Sequence, residues 1–177
     1  MIVMEVILFL IVVAGVIIGI KVWRNKVKNE AEIKAIRERF EREKEATERF
    51  KEKCIAAGAS YKSVEVMFGN WTQLYGEYEF KFEFKPDGYF KTNAFSGALE
   101  LRGTFTIEGV TDGKPCKIRL NASSKDVEEK TQFGYMSSYK QSSDWAVFKI
   151  ECSGNNLSLK LEDSNINTLS GFSLIKK

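Results

Sequence analysis

The sequence predicts an all-β fold, an antiparallel up-and-down β-barrel of about eight strands, preceded by one transmembrane helix and a charged helical stalk. Three observations lead to this prediction. Residues 1–23 are almost uncharged and apolar, residues 24–58 are rich in charged helix formers, and residues 60–177 alternate apolar and polar residues between tight turns. We therefore divide the chain at these boundaries into a membrane helix, a stalk and a β-domain.

The apolar run at residues 1–23 is long enough to cross a membrane as a helix. A rise of 1.5 Å per residue gives about 33 Å, which exceeds the hydrocarbon core of a bilayer. Only Glu5 and Lys21 are charged, the segment before the apolar core is acidic, and no small-residue cleavage site follows. These features favour an uncleaved anchor over a cleaved signal peptide or a buried core helix.

Basic residues flank only one side of the run. Lys21, Arg24, Lys26 and Lys28 follow it, and no Lys or Arg precedes it. The positive-inside rule then predicts a single-pass protein of the inner (cytoplasmic) membrane, with its N-terminus outside and its β-domain in the cytoplasm. The chain has 3 Cys residues without metal-ligand spacing, which fits reduced thiols in that compartment.

The stalk is predicted to be one helix that ends near Gly58, because Glu, Lys, Arg and Ala dominate it. Its apolar residues follow a heptad seam, which consists of Ile33, Ile36, Phe40, Phe50 and Cys54. Glu43 and Thr47 interrupt this seam. Two interpretations remain open: a solvated spacer, or a stripe that forms a weak coiled coil or packs on the β-domain.

Self-association is expected through the first 55 residues. Gly15 and Gly19 form a G-x-x-x-G pattern, in which either a second helix approaches closely or the glycines face lipid. The heptad seam of the stalk gives a second weak signal, and confinement to a membrane raises the effective concentration of the copies. We expect a homo-oligomer in a lipid bilayer, with Ile33, Ile36 and Phe40 at the stalk contact.

Strands of the β-domain are recognised by their period-2 alternation, which indicates one buried face. The clearest runs are residues 78–85, 99–107, 116–120, 145–152 and 157–161. Their parity predicts a set of inward side chains: Tyr78, Phe80, Phe82, Phe84, Leu101, Phe105, Ile107, Ile118, Leu120, Phe148 and Ile150. Closure of such a meander into a barrel removes its exposed edges. The inward residues either fill the barrel or leave a cavity near one mouth.

Three short motifs carry a resemblance to a known class of domain. They are the G-x-W at residues 69–71, the F-K-P-D-G-Y-F run at residues 84–90 and the G-T-F-T-I run at residues 103–107. Over about residues 66–177 the chain resembles bacterial lipocalin-like (calycin-type) domains. The resemblance implies that Gly69 and Trp71 plug one end of the barrel. It also implies a basic cover for Trp71 from the last strand, for which Lys176 and Lys177 are the candidates.

The layout of a membrane anchor and a cytosolic barrel has a second resemblance. It is similar to the membrane-disrupting effectors of bacterial cyclic-oligonucleotide antiphage systems, although those carry two spans. This resemblance concerns the layout and no ligand motif. It implies a barrel that binds a cyclic nucleotide and drives oligomerisation.

Composition argues against catalysis. The chain has no His, and it lacks the phosphate-loop, nucleophile-elbow and C-x-x-C motifs. The acidic pair Glu128 and Glu129 is interpreted as a solvated loop. We therefore predict no enzyme, with no catalytic residue, metal or cofactor. The β-domain has as many basic as acidic residues, which argues against double-stranded nucleic acid as a partner.

Binding is then the expected activity. Arg102 and Arg119 oppose the inward parity of their strands, so they could act only outside the barrel interior, at its rim. Residues 131–145 are either an adaptable contact loop or a strand with exposed aromatic side chains. The candidate ligand-binding residues are Tyr78, Phe82, Arg102, Arg119, Tyr135, Tyr139 and Trp145. The function predicted is a membrane-anchored module that senses a small molecule or nucleotide, or docks a membrane-protein partner. A structural accessory subunit of a membrane complex is the alternative.

Overall fold

The structure, a computed structural model, describes residues 2–94, 100–131, 134–166 and 171–177. Within these ranges it gives every side chain except those of residues 2–20, 22, 24, 128–131, 134 and 135. The chain divides into two compact units, residues 1–44 and residues 45–177, which are considered separately below.

Helix α1 runs from Ile2 to Ala56 and ends in a C-terminal capping motif. Gly58 has a φ of 85°, a conformation that glycine adopts without strain. Its N–H donates to the carbonyl of Ile55 at 2.9 Å, and the N–H of Ala59 donates to the carbonyl of Cys54 at 2.9 Å. These two bonds satisfy carbonyls at the helix end, so the predicted cap at Gly58 is confirmed.

Among the residues searched, no helix is long and apolar enough to cross a membrane. Most of the predicted membrane helix, including Gly15 and Gly19, lies outside the described side chains. In the first unit, Ile33, Ile36 and Phe40 are exposed.

In the described part of the chain, nine β-strands and a short helix follow α1. Helix α2 spans Tyr61–Glu65. The strands are β1 (Gly69–Tyr75), β2 (Tyr78–Phe84), β3 (Tyr89–Thr92), β4 (Glu100–Thr111), β5 (Lys114–Thr131), β6 (Gly134–Gln141), β7 (Trp145–Ser153), β8 (Asn156–Ser164) and β9 (Phe172–Lys176).

Eight of these strands close into an antiparallel barrel. Their order is β4–β3–β2–β1–β9–β8–β7–β5, and β5 closes the circle by pairing with β4. This confirms the predicted all-β, antiparallel barrel, and the architecture is consistent with a lipocalin-like barrel. Strand β5 pairs with β7 through residues 117–121 and with β6 through residues 124–131, so the β5–β6 hairpin extends beyond the barrel.

The segment 131–145 is mostly strand. This decides between its two interpretations, a contact loop and a strand with exposed aromatic side chains. Residues 134–141 form β6, so the interpretation as a contact loop is wrong for them. Glu128 and Glu129 belong to β5 and pair with β6, so their assignment to a loop is also wrong. The described side chains of β6, at residues 136–141, are exposed or half-buried. The hydrophobic alternation that identifies half-buried strands is therefore weak here.

The predicted inward parity is confirmed for most of the set. Phe82, Phe84, Leu101, Phe105, Ile118, Leu120, Phe148 and Ile150 are buried, and Phe80 and Ile107 are half-buried. Aromatic rings make contact across the interior: the ring centroids of Phe82 and Phe172 are 5.0 Å apart, and those of Phe84 and Phe105 are 5.3 Å apart. Aromatic side chains of the described residues thus pack against one another inside the barrel.

Tyr78 is the exception to this parity, because its side chain is 74% exposed. It pairs with Tyr75 at the tip of the β1–β2 hairpin, next to a tight turn in which Gly76 has a φ of 61°. The hairpin tip projects past the core, so the alternation continues in the sequence after burial has ended. The prediction that Tyr78 points inward is wrong.

The barrel is closed at one end around Trp71. The ring is fully buried, and its Nε1–H donates to the carbonyl of Met67 at 2.7 Å. The Lys176 Nζ lies 5.2 Å from the ring centroid, a cation–π contact from the last strand. Val64 and Met67, at and just after α2, are fully buried at this end. Trp71 is therefore buried at this end with the Lys176 ammonium group over its ring, and the plug role that the resemblance implies for it stays a prediction.

The C-terminal part of α1 packs on the same end of the barrel. Phe50 and Cys54 are buried, and the ring centroid of Phe50 lies 4.9 Å from that of Phe105. A Cβ at Gly88 would lie 2.4 Å from Phe50 Cδ2, so the absence of a side chain at Gly88 makes room for this ring. The C-terminal part of the predicted stripe, Phe50 and Cys54, thus packs on the β-domain, and both residues belong to the compact unit that begins at Glu45.

Burial makes the Cys54 thiol a poor nucleophile. Desolvation raises its pKa to about 11 from an ordinary 9.0. The folded state therefore holds the proton more tightly than the unfolded state, and this contribution to stability is present below pH 9 and is lost between pH 9 and about pH 11. We expect the free energy of unfolding to fall over this interval.

Chemical denaturation between pH 8 and pH 11 tests this expectation in the parent and in Cys54→Ala. The decline should be smaller in the variant, since it lacks the titrating thiol. An identical pH dependence in the two proteins would contradict the assignment to Cys54.

Candidate functional site

Two arginine–aromatic pairs lie on the outer face of the barrel beside the β5–β6 hairpin. In the first pair, the Arg102 guanidinium on β4 lies 5.0 Å from the ring centroid of Tyr139 on β6. Its Nη2 also donates a hydrogen bond to the Tyr139 hydroxyl at 2.9 Å. Arg102 further donates to Glu100 on its own strand. The planar guanidinium suits this combination of stacking and forked hydrogen bonding.

The second pair joins β5 and β7. The Arg119 guanidinium lies 4.6 Å from the ring of Trp145, and it donates to Glu108. The backbone N–H of Trp145 donates to Asn165 Oδ1 at 2.7 Å, and the Asn165 amide donates to the carbonyl of Ser143 at 3.1 Å. These bonds hold the start of β7, so the position of the indole is fixed by the backbone as well as by Arg119.

Small polar side chains separate the two pairs. In the β4–β5 register, Thr104 is opposite Asn121, and Thr106 is opposite Arg119. Arg102 and Thr106 are four residues apart on one strand, which is about 13 Å. We call this surface the Arg–aromatic face, and its members are Arg102, Thr104, Thr106, Arg119, Asn121, Tyr139 and Trp145.

Hydrogen bonds keep the charges of the first pair in place. Burial alone would raise the pKa of Glu100, but hydrogen bonds from Lys91 and Arg102 outweigh it and leave that pKa below its ordinary value. The hydrogen bond from Arg102 to Glu100 raises the pKa of the guanidinium in turn. Lys91 reaches Glu100 at 2.6 Å. The Glu100 carboxylate and the Arg102 guanidinium therefore stay ionised at neutral pH.

The structure brings together four of the predicted site residues, namely Arg102, Arg119, Tyr139 and Trp145. It does not bring Tyr78 or Phe82 to them: Phe82 is buried in the core, and Tyr78 is at the β1–β2 hairpin tip. The side chain of Tyr135 lies outside the described residues. The two arginines lie on the outer face of the barrel, as their parity required.

Two surface cavities were not anticipated from the sequence. One, of about 450 Å³, lies over β1, β2 and β3 and is lined by Lys81, Lys91 and Lys177 together with Glu83 and Glu100. The charges of its lining are partly paired, for example Lys91 with Glu100. The other, of about 510 Å³, lies at the plugged end and is lined mainly by Val66, Met67, Pro115, Cys116, Ile150 and Cys152. No run of the sequence signals either one, because each combines residues from three or more elements.

Within the described residues, no group of three or more acidic or Cys side chains is placed to hold a metal ion. The chain matches no protein-family model, and neither a curated protein nor a solved structure is significantly similar to it. The fold and the outer face therefore define the class: an eight-stranded antiparallel barrel, consistent with a lipocalin-like one, that presents arginine and aromatic side chains outside the barrel.

The Arg102 pair is expected to contribute little to stability. Exposed ion pairs and single cation–π contacts are each worth about 1 kcal/mol or less. Arg102→Ala should therefore lower the free energy of unfolding by less than about 1.5 kcal/mol in urea denaturation. A loss above about 3 kcal/mol, the range of buried pairs, would mean that Arg102 is a structural residue of the barrel.

Proposed function

We propose that this protein is a non-enzymatic, membrane-tethered binding module that docks a protein partner through its Arg–aromatic face. The observation that carries the proposal is the pairing of Arg102 with Tyr139 and of Arg119 with Trp145 on one outer surface. Arginine, tyrosine and tryptophan are the residue types that most often dominate binding energy at protein interfaces.

The preorganisation of this face supports the proposal further. A side chain that is held before binding loses less conformational entropy when a partner arrives. Arg119 is held by Glu108 and Trp145, and Arg102 is held by Glu100 and Tyr139. The aromatic packing inside the described barrel favours docking on the outside over a small ligand within it.

The tether is the apolar run at residues 1–23, with its basic flank on the cytoplasmic side of the inner membrane. Copies pair through Gly15 and Gly19 in the membrane and through Ile33, Ile36 and Phe40 in the stalk. These three stalk residues are exposed in the described unit, which leaves them available for a second helix. The lipid bilayer, a second copy and a membrane-protein partner are thus the proposed partners.

Site-specific photocrosslinking in cells tests the docking face. A photoreactive amino acid replaces Thr104, which is exposed between the two pairs, and a matched control replaces Ser158, which is exposed on β8. We expect a discrete protein adduct from position 104, weakened at least tenfold by Trp145→Ala, and none from position 158. Equal adducts at both positions, or none at 104, would overturn the docking proposal.

Carbonate extraction of cell membranes tests the tether. The full chain should remain in the membrane pellet, and a chain that lacks residues 1–23 should be released. Cys54 cannot report the orientation because it is buried. A Ser158→Cys variant can, and an impermeant maleimide should label it only after lysis. Labelling of intact cells beyond the parent level would reverse the predicted topology.

A further inference from the structure

Strand β6 is the edge of the sheet. It pairs with β5 along its whole length, from Gly134 opposite Thr131 to Gln141 opposite Ser124. Among the described residues, no strand pairs with its other side. The barrel strands lack such an edge because they close on one another, so the exposed pairing groups of the described sheet are concentrated on β6.

This edge has few of the features that usually prevent strand addition. Its register with β5 runs without a bulge, and the strand contains no Pro and one charged residue, Lys140. Two large side chains on it, Met136 and Tyr139, are 60% and 61% exposed. The hydroxyl of Ser138 is buried and has no hydrogen-bond partner among the described residues. A buried hydroxyl without a hydrogen-bond partner is costly.

The direction of the free N–H groups follows from one hydrogen bond. The N–H of Ser142, the residue after β6, donates to the carbonyl of Ser123 at 3.1 Å, next to β5. The backbone N–H and C=O groups of successive residues in a strand point alternately to its two sides. The N–H and C=O groups of the even-numbered residues of β6 therefore point to β5. The N–H and C=O groups of Ser137 and Tyr139 therefore face the open edge.

We propose that β6 pairs in antiparallel orientation with β6 of a second copy, about a two-fold axis at Ser138. Two identical strands can pair only where a residue is opposite itself, and the centre of β6 lies at Ser137 and Ser138. Centring on Ser138 places the two unpartnered hydroxyls opposite each other. Ser137 then exchanges backbone hydrogen bonds with Tyr139 of the second copy.

The composition of the strand is compatible with this register. Lys140 is opposite Met136 of the second copy, so no like charges meet across the pair. The two β5–β6 hairpins become one four-stranded sheet, and Tyr139 stays in contact with Arg102 on one face of it. A second copy thus gives hydrogen-bond partners to the free backbone groups of β6 without disturbing the contacts already present.

The length of the edge explains why the occupant is a second copy on the same membrane. Eight residues span about 27 Å, and a contact between two single edges is smaller than a standard interface of about 800 Å² per partner. Such pairing is weak in solution but gains from confinement at a membrane. In this respect the inference rests on the tether of the proposed function.

Disulfide trapping of the full chain in cells tests the pairing. In an antiparallel pair of strands, two directly opposite residues that do not hydrogen-bond to each other have Cα atoms about 4.5 Å apart. Position 138 is such a pair in the proposed register, and this separation suits a disulfide. Ser138→Cys should therefore give a reducible dimer on brief oxidation with copper phenanthroline. Ser137→Cys, one residue away, should give at least fivefold less, and Ser158→Cys should give no more than the parent.

A proline at position 139 provides the blocking variant. Tyr139→Pro removes an N–H that faces the open edge and leaves the β5 hydrogen bonds intact. In the Ser138→Cys background it should abolish the dimer, whereas Tyr139→Ala, which loses the same contact with Arg102, should retain most of it. Loss in both variants, a stronger dimer at 137 than at 138, or no dimer at 138 would overturn the pairing.

Membrane extraction of the same cells separates this inference from the proposed function. A chain that stays in the membrane but gives no Ser138→Cys dimer overturns the edge pairing and leaves the tether in place. A chain released from the membrane whose Ser138→Cys variant still dimerises overturns the tether and supports the pairing.

Discussion

Trp71→Ala is expected to lower the free energy of unfolding by about 3–5 kcal/mol, the usual cost of truncating a buried Trp. The indole is fully buried, it satisfies the carbonyl of Met67, and it carries Lys176 over its face. Truncation leaves a cavity and an unpaired carbonyl at the plugged end of the barrel. Urea denaturation of residues 24–177, followed by circular dichroism, measures the change.

Trp145→Ala is the matched control, because it removes the same side chain from the outer face. Trp145 is only half-buried and contacts Arg119 there. Its truncation should cost less than half as much as that of Trp71. Trp71→Phe should fall between the two, since it keeps a ring and loses the hydrogen bond. Equal losses at positions 71 and 145 would contradict the assignment of Trp71 as the plug.

The barrel could be predicted from the sequence because its strands have one buried face. Period-2 alternation identified Phe82, Phe84 and Phe105 as core residues without any knowledge of pairing. The same rule failed at Tyr78, since alternation continues into a hairpin tip that no longer covers the core. It also failed for β6, whose described side chains are exposed or half-buried, so that the backbone register defines the strand.

The short motifs have physical reasons that appear only in three dimensions. A Cβ at Gly103 would lie 1.9 Å from the carbonyl oxygen of Asn121, so the crowded β4–β5 pairing requires glycine there. The register shifts between Arg102 and Gly103 at this point. Helix α2 gave no usable signal, because five residues are too few for a helical period.

The members of the candidate site could be named from the sequence, but their arrangement could not. Arg102 and Tyr139 are separated by 37 residues, and they meet because β5 pairs first with β4 and then with β6. Predicting that contact requires the register of two long strands and the shift beside Gly103. Residue type alone indicated that arginines and aromatics were of interest, and the pairing of β5 decided which ones meet.

Phe50→Ala is the second large expected effect, again a loss of about 3–5 kcal/mol in the free energy of unfolding. Phe50 belongs to a charged helix, and composition alone makes it a minor apolar residue of a stalk. In the structure it is 5% exposed, packs edge-on against Phe105 and occupies the space above Gly88. Truncation removes this ring from the plugged end and leaves a cavity there.

Phe40→Ala is the matched control for Phe50→Ala, because Phe40 lies on the same helix and is exposed. It should change the free energy of unfolding by less than about 0.5 kcal/mol. Both variants are measured in residues 24–177 by urea denaturation. A chain that starts at residue 60 lacks both Phe50 and Cys54, so it should be at least as unstable as Phe50→Ala. If that shorter chain matched the stability of residues 45–177, the end of α1 would be dispensable, and the boundary drawn from composition at residue 60 would describe the folding unit better than the boundary at Glu45.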